Sequence, residues 1–117
     1  MNDANCFTLS EAIDGAGEKF KSIFGIIIGT GFGGALSYKK EIIEGANQIA
    51  GDWGHQPLPY PTDEEIKTDI RCPSMNCGRA LCAEQFMSGI GFANVFNQKN
   101  NTNCDSHEIV ELAKNGD

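Results

Sequence analysis

Polar and apolar positions divide this chain into short stretches of differing period. Cys6, Leu9, Ile13 and Ala16 recur at helical spacing behind the polar pair Asn2-Asp3, which predicts a helix beginning at Asp3 and ending near Gly15 and Gly17. Ile23 to Ile28 is an apolar, β-branched run and predicts a buried strand. It leads into Gly29-Thr30-Gly31-Phe32-Gly33-Gly34, after which Ala35 to Ile43 partly alternates around a polar turn at Lys39-Lys40, the pattern of a strand pair. Gln56 to Pro61 is held extended by its prolines, and Thr62 to Asp69 reads as an acidic, solvated excursion. A short helix over Ala80 to Met87 carries Cys82, Glu84 and Phe86 and is broken by Ser88-Gly89-Ile90-Gly91. A second apolar segment, Phe92 to Phe96, follows, then a polar loop from Gln98 to Cys104. Asp105 and Glu108 form a capping box for a last helix with Ile109, Leu112 and Ala113 inside. The fold class is α/β.

A chain of 117 residues is at most one domain and buries a modest core. Its edges read as those of a segment from a longer chain: polar residues open it with no strand to deliver them, and it stops one residue after Gly116, an expected helix C-cap. The net charge of -7, with nine Lys and Arg spread singly, argues against a nucleic-acid partner, which needs clustered cations. No run reaches the ~18 apolar residues of a membrane span, and no signal peptide opens the chain; a cytoplasmic protein is expected.

Five cysteines, three of them clustered, suit a reduced compartment and a metal better than a disulfide framework. Cys72, Cys77 and Cys82 with His55 make four nitrogen and sulfur ligands, the set of a closed structural zinc site. Inert thiols beside a buried histidine are the alternative for each residue taken singly, and the joint spacing favours zinc. Such a site would hold the loop Ala50-Gly51-Asp52-Trp53-Gly54-His55 and present Asp52, with Glu84 as a second carboxylate two residues beyond the last thiol. Trp53 is expected to pack rather than to stack on a ligand, and Cys6 and Cys104 are expected to be packing residues. The glycine run matches G-x-G-x-x-G, but a dinucleotide fingerprint needs a helix to follow, and a strand pair follows instead. Two readings stay open for it: a turn presenting backbone N–H groups and the Thr30 hydroxyl to a phosphate, or a tight turn with close backbone packing. Asp3, taken alone, is an N-cap carboxylate.

Asn2-Asp3-Ala4-Asn5-Cys6, Gly29-Thr30-Gly31-Phe32-Gly33-Gly34, Gly51-Asp52-Trp53-Gly54-His55 with Pro57-Leu58-Pro59, and Cys77-Gly78 to Cys82-Ala83-Glu84 with Ser88-Gly89 fall in one order over nearly the whole chain. Together they resemble the ROK family of repressors and sugar kinases, above all its bacterial fructokinases and N-acetylglucosamine kinases. The resemblance implies a partial actin-like ATPase (ribonuclease H-like) fold, the central portion of a ROK kinase with a zinc knuckle. Residues 1–20 would be the end of the N-terminal sugar-binding lobe and residues 21–117 the start of the C-terminal lobe. It further implies transfer of the γ-phosphoryl of ATP, with Mg²⁺, to the 6-hydroxyl of a hexose, fructose being the first expectation and N-acetylglucosamine or N-acetylmannosamine the next. Asp3 would be the general base, Asn2, Asp52, His55 and Glu84 the sugar contacts, and Gly29, Thr30 and Gly31 the second phosphate-binding turn. A homodimer is implied for the full-length form.

The chain departs from the family pattern in several places. Asp52 stands where Glu is usual and is one methylene shorter. Cys72 and Cys77 lie five apart rather than two, with Met75 at the usual thiol position, and Leu81 replaces a glycine, which matters if that backbone needs positive φ. The family's first phosphate turn and its adenosine-binding end have no counterpart in these residues, so the chain alone is expected to turn over no ATP. Two other classes compete with a kinase. A sugar-sensing repressor of the family needs no general base, so Asp3 weighs against it; a zinc-stabilised, non-catalytic module leaves the glycine turn unexplained.

Overall fold

The computed structural model describes residues 1–72 and 74–116. They fall into two compact units, Met1–Ile27 with Phe32–Gly54, and Ile28–Gly31 with the chain from His55 onward.

In the first unit, α1 spans Asp3–Ile13, as its start signal predicts, but the cap is Asn2: its side chain accepts the Asn5 N–H at 2.9 Å. Asp3 is therefore not the cap. It is exposed in the first turn, where its Oδ1 accepts the Ala4 N–H at 2.9 Å. The buried face also differs from the expected one, running through Ala4, Asn5, Thr8 and Ala12, while Cys6 and Ile13 are exposed. The reason is distance of approach, because small side chains let α1 lie close on the sheet. A Cβ at Gly25 would come within 1.9 Å of Thr8 Oγ1, so only glycine admits Thr8 there.

The sheet has three strands in the order β1 (Ser22–Ile28), β2 (Phe32–Tyr38), β3 (Glu41–Ile42). β2 and β3 are antiparallel with Tyr38 opposite Glu41 and Ser37 opposite Ile42, so Lys39-Lys40 is the expected turn. Both lysines have positive φ, 53° and 67°, as a two-residue hairpin turn twisted to match its strands requires. The buried β1 is not found. It is an edge strand whose Phe24, Ile26 and Ile28 are all exposed, with only Gly25 buried. Trp53 packs edge-on against Phe24 at 5.3 Å between ring centroids and tilted against Phe32 at 5.8 Å, the packing role expected of it.

In the second unit, α2 (Asp63–Lys67) occupies the acidic excursion, started by a Thr62–Glu65 capping box and burying none of its residues. α3 spans Ala83–Met87 with Cys82 as its N-cap residue. The helix breaks at Ser88, as expected, and Ser88 caps a new helix, α4 (Gly89–Asn100), its Oγ accepting the Gly91 N–H at 3.0 Å. The glycines lie in the first turn, and the polar loop shortens accordingly, starting at the left-handed Asn101. α5 (Ser106–Lys114) has both halves of the expected capping box, and Ile109 is its buried residue. No helix among the described residues is long and apolar enough to cross a membrane.

Candidate metal centre and glycine turn

A short backbone ladder gathers the metal-ligating side chains. Leu58 N–H donates to Leu81 C=O at 2.7 Å and Ala83 N–H to Gln56 C=O at 2.9 Å, so residues 56–58 run antiparallel to 81–83. On the other side Cys72 N–H donates to Arg79 C=O at 2.9 Å, and Cys77 N–H closes a turn on Ser74 C=O at 3.1 Å. The ladder thus delivers His55 from one end, Cys72 and Cys82 from its rungs and Cys77 from the turn.

Their ligand atoms all lie within 4.8 Å of one another. Zinc at about 2.3 Å from sulfur and about 2.0–2.1 Å from nitrogen, in a tetrahedron, sets sulfur–sulfur pairs about 3.8 Å and sulfur–nitrogen pairs about 3.6 Å apart. The observed spacings are 3.9 Å for Cys77–Cys82, 3.6 Å from Cys72 Sγ to His55 Nδ1 and 3.5 Å from Cys82 Sγ to the same nitrogen. These three spacings match a tetrahedral zinc, and every other pair of the four ligand atoms stays within 4.8 Å. The unusual spacing of Cys72 is absorbed by the 74–77 turn, while Met75, at the customary thiol position, points into solvent fully exposed.

Electrostatics favour the same guest. Burial pushes the Cys72 thiol up to about 12 and raises Cys82 as well, whereas the Arg79 backbone N–H lowers Cys77. Cys72 and Cys82, buried in this way, resist becoming thiolates unless a cation stands beside them, while Cys77 yields its proton more readily. The residues fit zinc, held by His55 Nδ1 and the three sulfurs.

Behind the histidine stands Glu84, whose side chain is 12% exposed and whose Oε2 lies 3.2 Å from His55 Nε2. Leu81, between Cys77 and Cys82, has φ of 55°. The glycine usual at this place is thus explained by a left-handed backbone, which Leu81 adopts at a cost.

The glycine turn belongs to the same unit. Gly29 N–H donates to Gly31 C=O at 2.9 Å, and Gly89 N–H, at the start of α4, donates to Gly29 C=O at 2.7 Å. Gly29 and Thr30 are exposed. Neither Gly29 nor Gly31 has positive φ, and a Cβ on Gly29 would meet nothing within 4 Å. A cleft of about 620 Å³ opens beside the turn, lined by Gly29, Thr30, Ser88, Asn97 and Asp105 among others. Sequence reasoning missed Ser88 and Gly89 as the turn's support, although a serine ahead of glycines and an apolar run is a helix-start signal. Asn2, Asp3 and Asp52, the remaining sequence-predicted site residues, lie in the first unit and are exposed. Gly51, with φ of 84°, and Gly54 hold the loop bearing Asp52 against β2, since a Cβ at Gly54 would come within 1.9 Å of Phe32 C=O.

Comparison with known proteins places this arrangement. The N-acetyl-D-glucosamine kinase of Yersinia enterocolitica is 38% identical over 109 residues, covering 93% of this chain and 36% of that protein. That of Shigella boydii is 36% identical over 116 residues, covering 99% and 38% respectively. The chain thus spans little more than a third of the length of these curated relatives. Among solved structures, the ROK hexokinase of Thermus thermophilus superposes with a TM-score of 0.80 at 25% identity, over 100% of this chain and 37% of the hexokinase. The fold is accordingly α/β, part of the actin-like ATPase architecture of the ROK sugar kinases. The model of the ROK family matches residues 1–117, and the chain belongs to the ROK family.

Proposed function

We propose that these residues supply the acceptor-sugar and phosphate-binding segment of an ATP-dependent hexose kinase. The observation that carries the reading is Gly29, which has no positive φ and at which a Cβ would meet nothing within 4 Å among the described residues. A bare, exposed backbone at this place suits the close approach of a phosphate, and the adjoining cleft gives a nucleotide room. Between fructose and an N-acetylated hexosamine as acceptor, the curated relatives compared above are named N-acetyl-D-glucosamine kinases, which favours the second.

Asp3 takes the proton from the sugar's 6-hydroxyl. Asn2 is the N-cap of α1, so Asp3, whose Oδ1 accepts the N–H of its neighbour Ala4, is an exposed carboxylate in the first turn. Asn2, Asp52 and Glu84 hold the sugar, with His55, whose two nitrogens face the cysteines and Glu84, orienting Glu84 at the sugar site, and the turn Gly29-Thr30-Gly31 holds the phosphates of ATP. Mg²⁺, when bound with the phosphates, would supply charge neutralisation for the transfer. Zinc on His55, Cys72, Cys77 and Cys82 is structural: all four positions are taken by protein, leaving none for substrate.

A segment exchange tests this. The stretch of the Yersinia enterocolitica kinase that this chain matches is replaced by residues 1–117, and ADP release is followed with N-acetylglucosamine and with fructose. Turnover with N-acetylglucosamine is expected, falling ~10²–10⁴-fold on Asp3→Asn without loss of thermal stability. A folded exchange protein that turns over sugar equally well with Asp3→Asn would overturn the assignment.

A further inference from the structure

Glu84 is in the first turn of α3, two residues beyond Cys82, and its two oxygens face different neighbours. Oε2 lies 3.2 Å from His55 Nε2 and 3.5 Å from Cys72 Sγ. Oε1 faces the glycine turn: a Cβ built on Gly31 would come within 2.8 Å of it, the nearest atom it would meet. The carboxylate is held between the metal ligands and the turn, and the glycine at 31 leaves the space it occupies.

We infer that Glu84 is a positioning residue that ties the metal centre to the glycine turn. Its Oε2 accepts the Nε2–H of His55, which fixes the tautomer whose bare Nδ1 faces Cys72 and Cys82, while its Oε1 occupies the space a side chain at position 31 would enter. A histidine free to choose its tautomer would present a lone pair at Nδ1 only part of the time, and its ring would turn more freely. Carboxylates placed behind a ligating imidazole set both the tautomer and the ring orientation. Here that carboxylate is shared with the turn, so a change at Gly31, which touches no ligand atom of the centre, reaches the metal through Glu84. The inference rests on the zinc reading above and adds to the sugar-binding role proposed for Glu84.

Zinc affinity of the full chain, measured by competition with a chromogenic chelator, tests it, with nitrogen-15 histidine spectra as a second readout. Glu84→Ala is expected to weaken zinc ~10–100-fold, the usual cost of losing such a partner. Glu84→Gln keeps a carbonyl oxygen for Nε2–H and is expected to recover most of that loss. Gly31→Ala strains no backbone, because φ there is not positive, yet its methyl displaces the carboxylate. It is expected to weaken zinc several-fold and to shift the His55 ring signals, with no further loss when combined with Glu84→Ala. If the unaltered chain takes up no zinc, the metal reading itself fails. If it takes up zinc and both Glu84→Ala and Gly31→Ala match it, or if their losses simply add, the inference is overturned.

Discussion

The turns that leave the two ends of β2 place glycine in opposite ways. Lys39-Lys40 needs positive φ at both positions and has no glycine, whereas Gly29-Thr30-Gly31 has two glycines and positive φ at neither. A chain shaped by local stability alone would do the reverse, since glycine enters the left-handed region freely and weakens structure elsewhere. Gly31 has a reason in Glu84. Gly29 has none among the described residues, because a Cβ there would meet nothing within 4 Å. Local conformation accounts for neither turn's composition, and the ligand proposed for the glycine turn accounts for the second.

The metal centre sharpens this contrast most, because it holds another left-handed residue that is not glycine, Leu81, between two of its ligands. Removing zinc with a chelator is expected to lower the stability of the second unit by about 4 kcal/mol if zinc had been present at a thousand times its dissociation constant, read by chemical denaturation. The same centre gives a pH dependence. Cys72 and Cys82 stay protonated across the neutral range, so each releases a proton when zinc binds. Apparent affinity is expected to rise at least about 10²-fold per pH unit, and a flat profile between pH 6 and 8 would contradict thiolate ligation. In the metal-free chain the sign reverses. A thiol pushed up to about 12 in the fold, against about 9 unfolded, stabilises the protein below pH 9 and loses that contribution as pH rises toward 12.

Relieving the strained turn should have a smaller effect. Lys39→Asn with Lys40→Gly places the preferred pair in the hairpin and is expected to stabilise the chain by about 1–2 kcal/mol, less whatever the exposed bond from Lys40 Nζ to Ile13 C=O contributes. Leu81→Gly comes last, with about 1 kcal/mol of relieved strain partly offset by the entropy of glycine. A fall in melting temperature for either variant would mean that these residues are not strained where they stand.

Much of this was legible in the sequence, and the parts that were not share a physical cause. The hairpin turn at Lys39-Lys40, the start of α1 at Asp3 and the capping box of α5 depend on residues within four positions of one another, which spacing reveals. The ligand set was legible because His55 and three thiols leave few other chemistries, even with Cys72 displaced along the chain. The buried face of α1 was not, because approach to Gly25 selects for small size, which a pattern of large apolar residues conceals. The exposure of β1 was not, since an apolar run carries no sign of whether a neighbour covers it. The placement of Glu84 in the space that a side chain at Gly31 would need joins residues far apart in sequence, and nothing local announces it.

The most direct test of the central claim is Gly29→Ala in the exchange protein, with melting temperature and sugar-dependent ADP release measured on one preparation. A Cβ there clashes with nothing among the described residues and φ is not positive, so a role in the ligand site alone predicts a melting temperature within about 2 °C of the parent. Displacing the phosphates by the width of a methyl group is expected to lower turnover about 10²-fold. Unchanged turnover, or a loss that follows a fall in stability, would contradict the claim that this glycine serves the ligand rather than the fold.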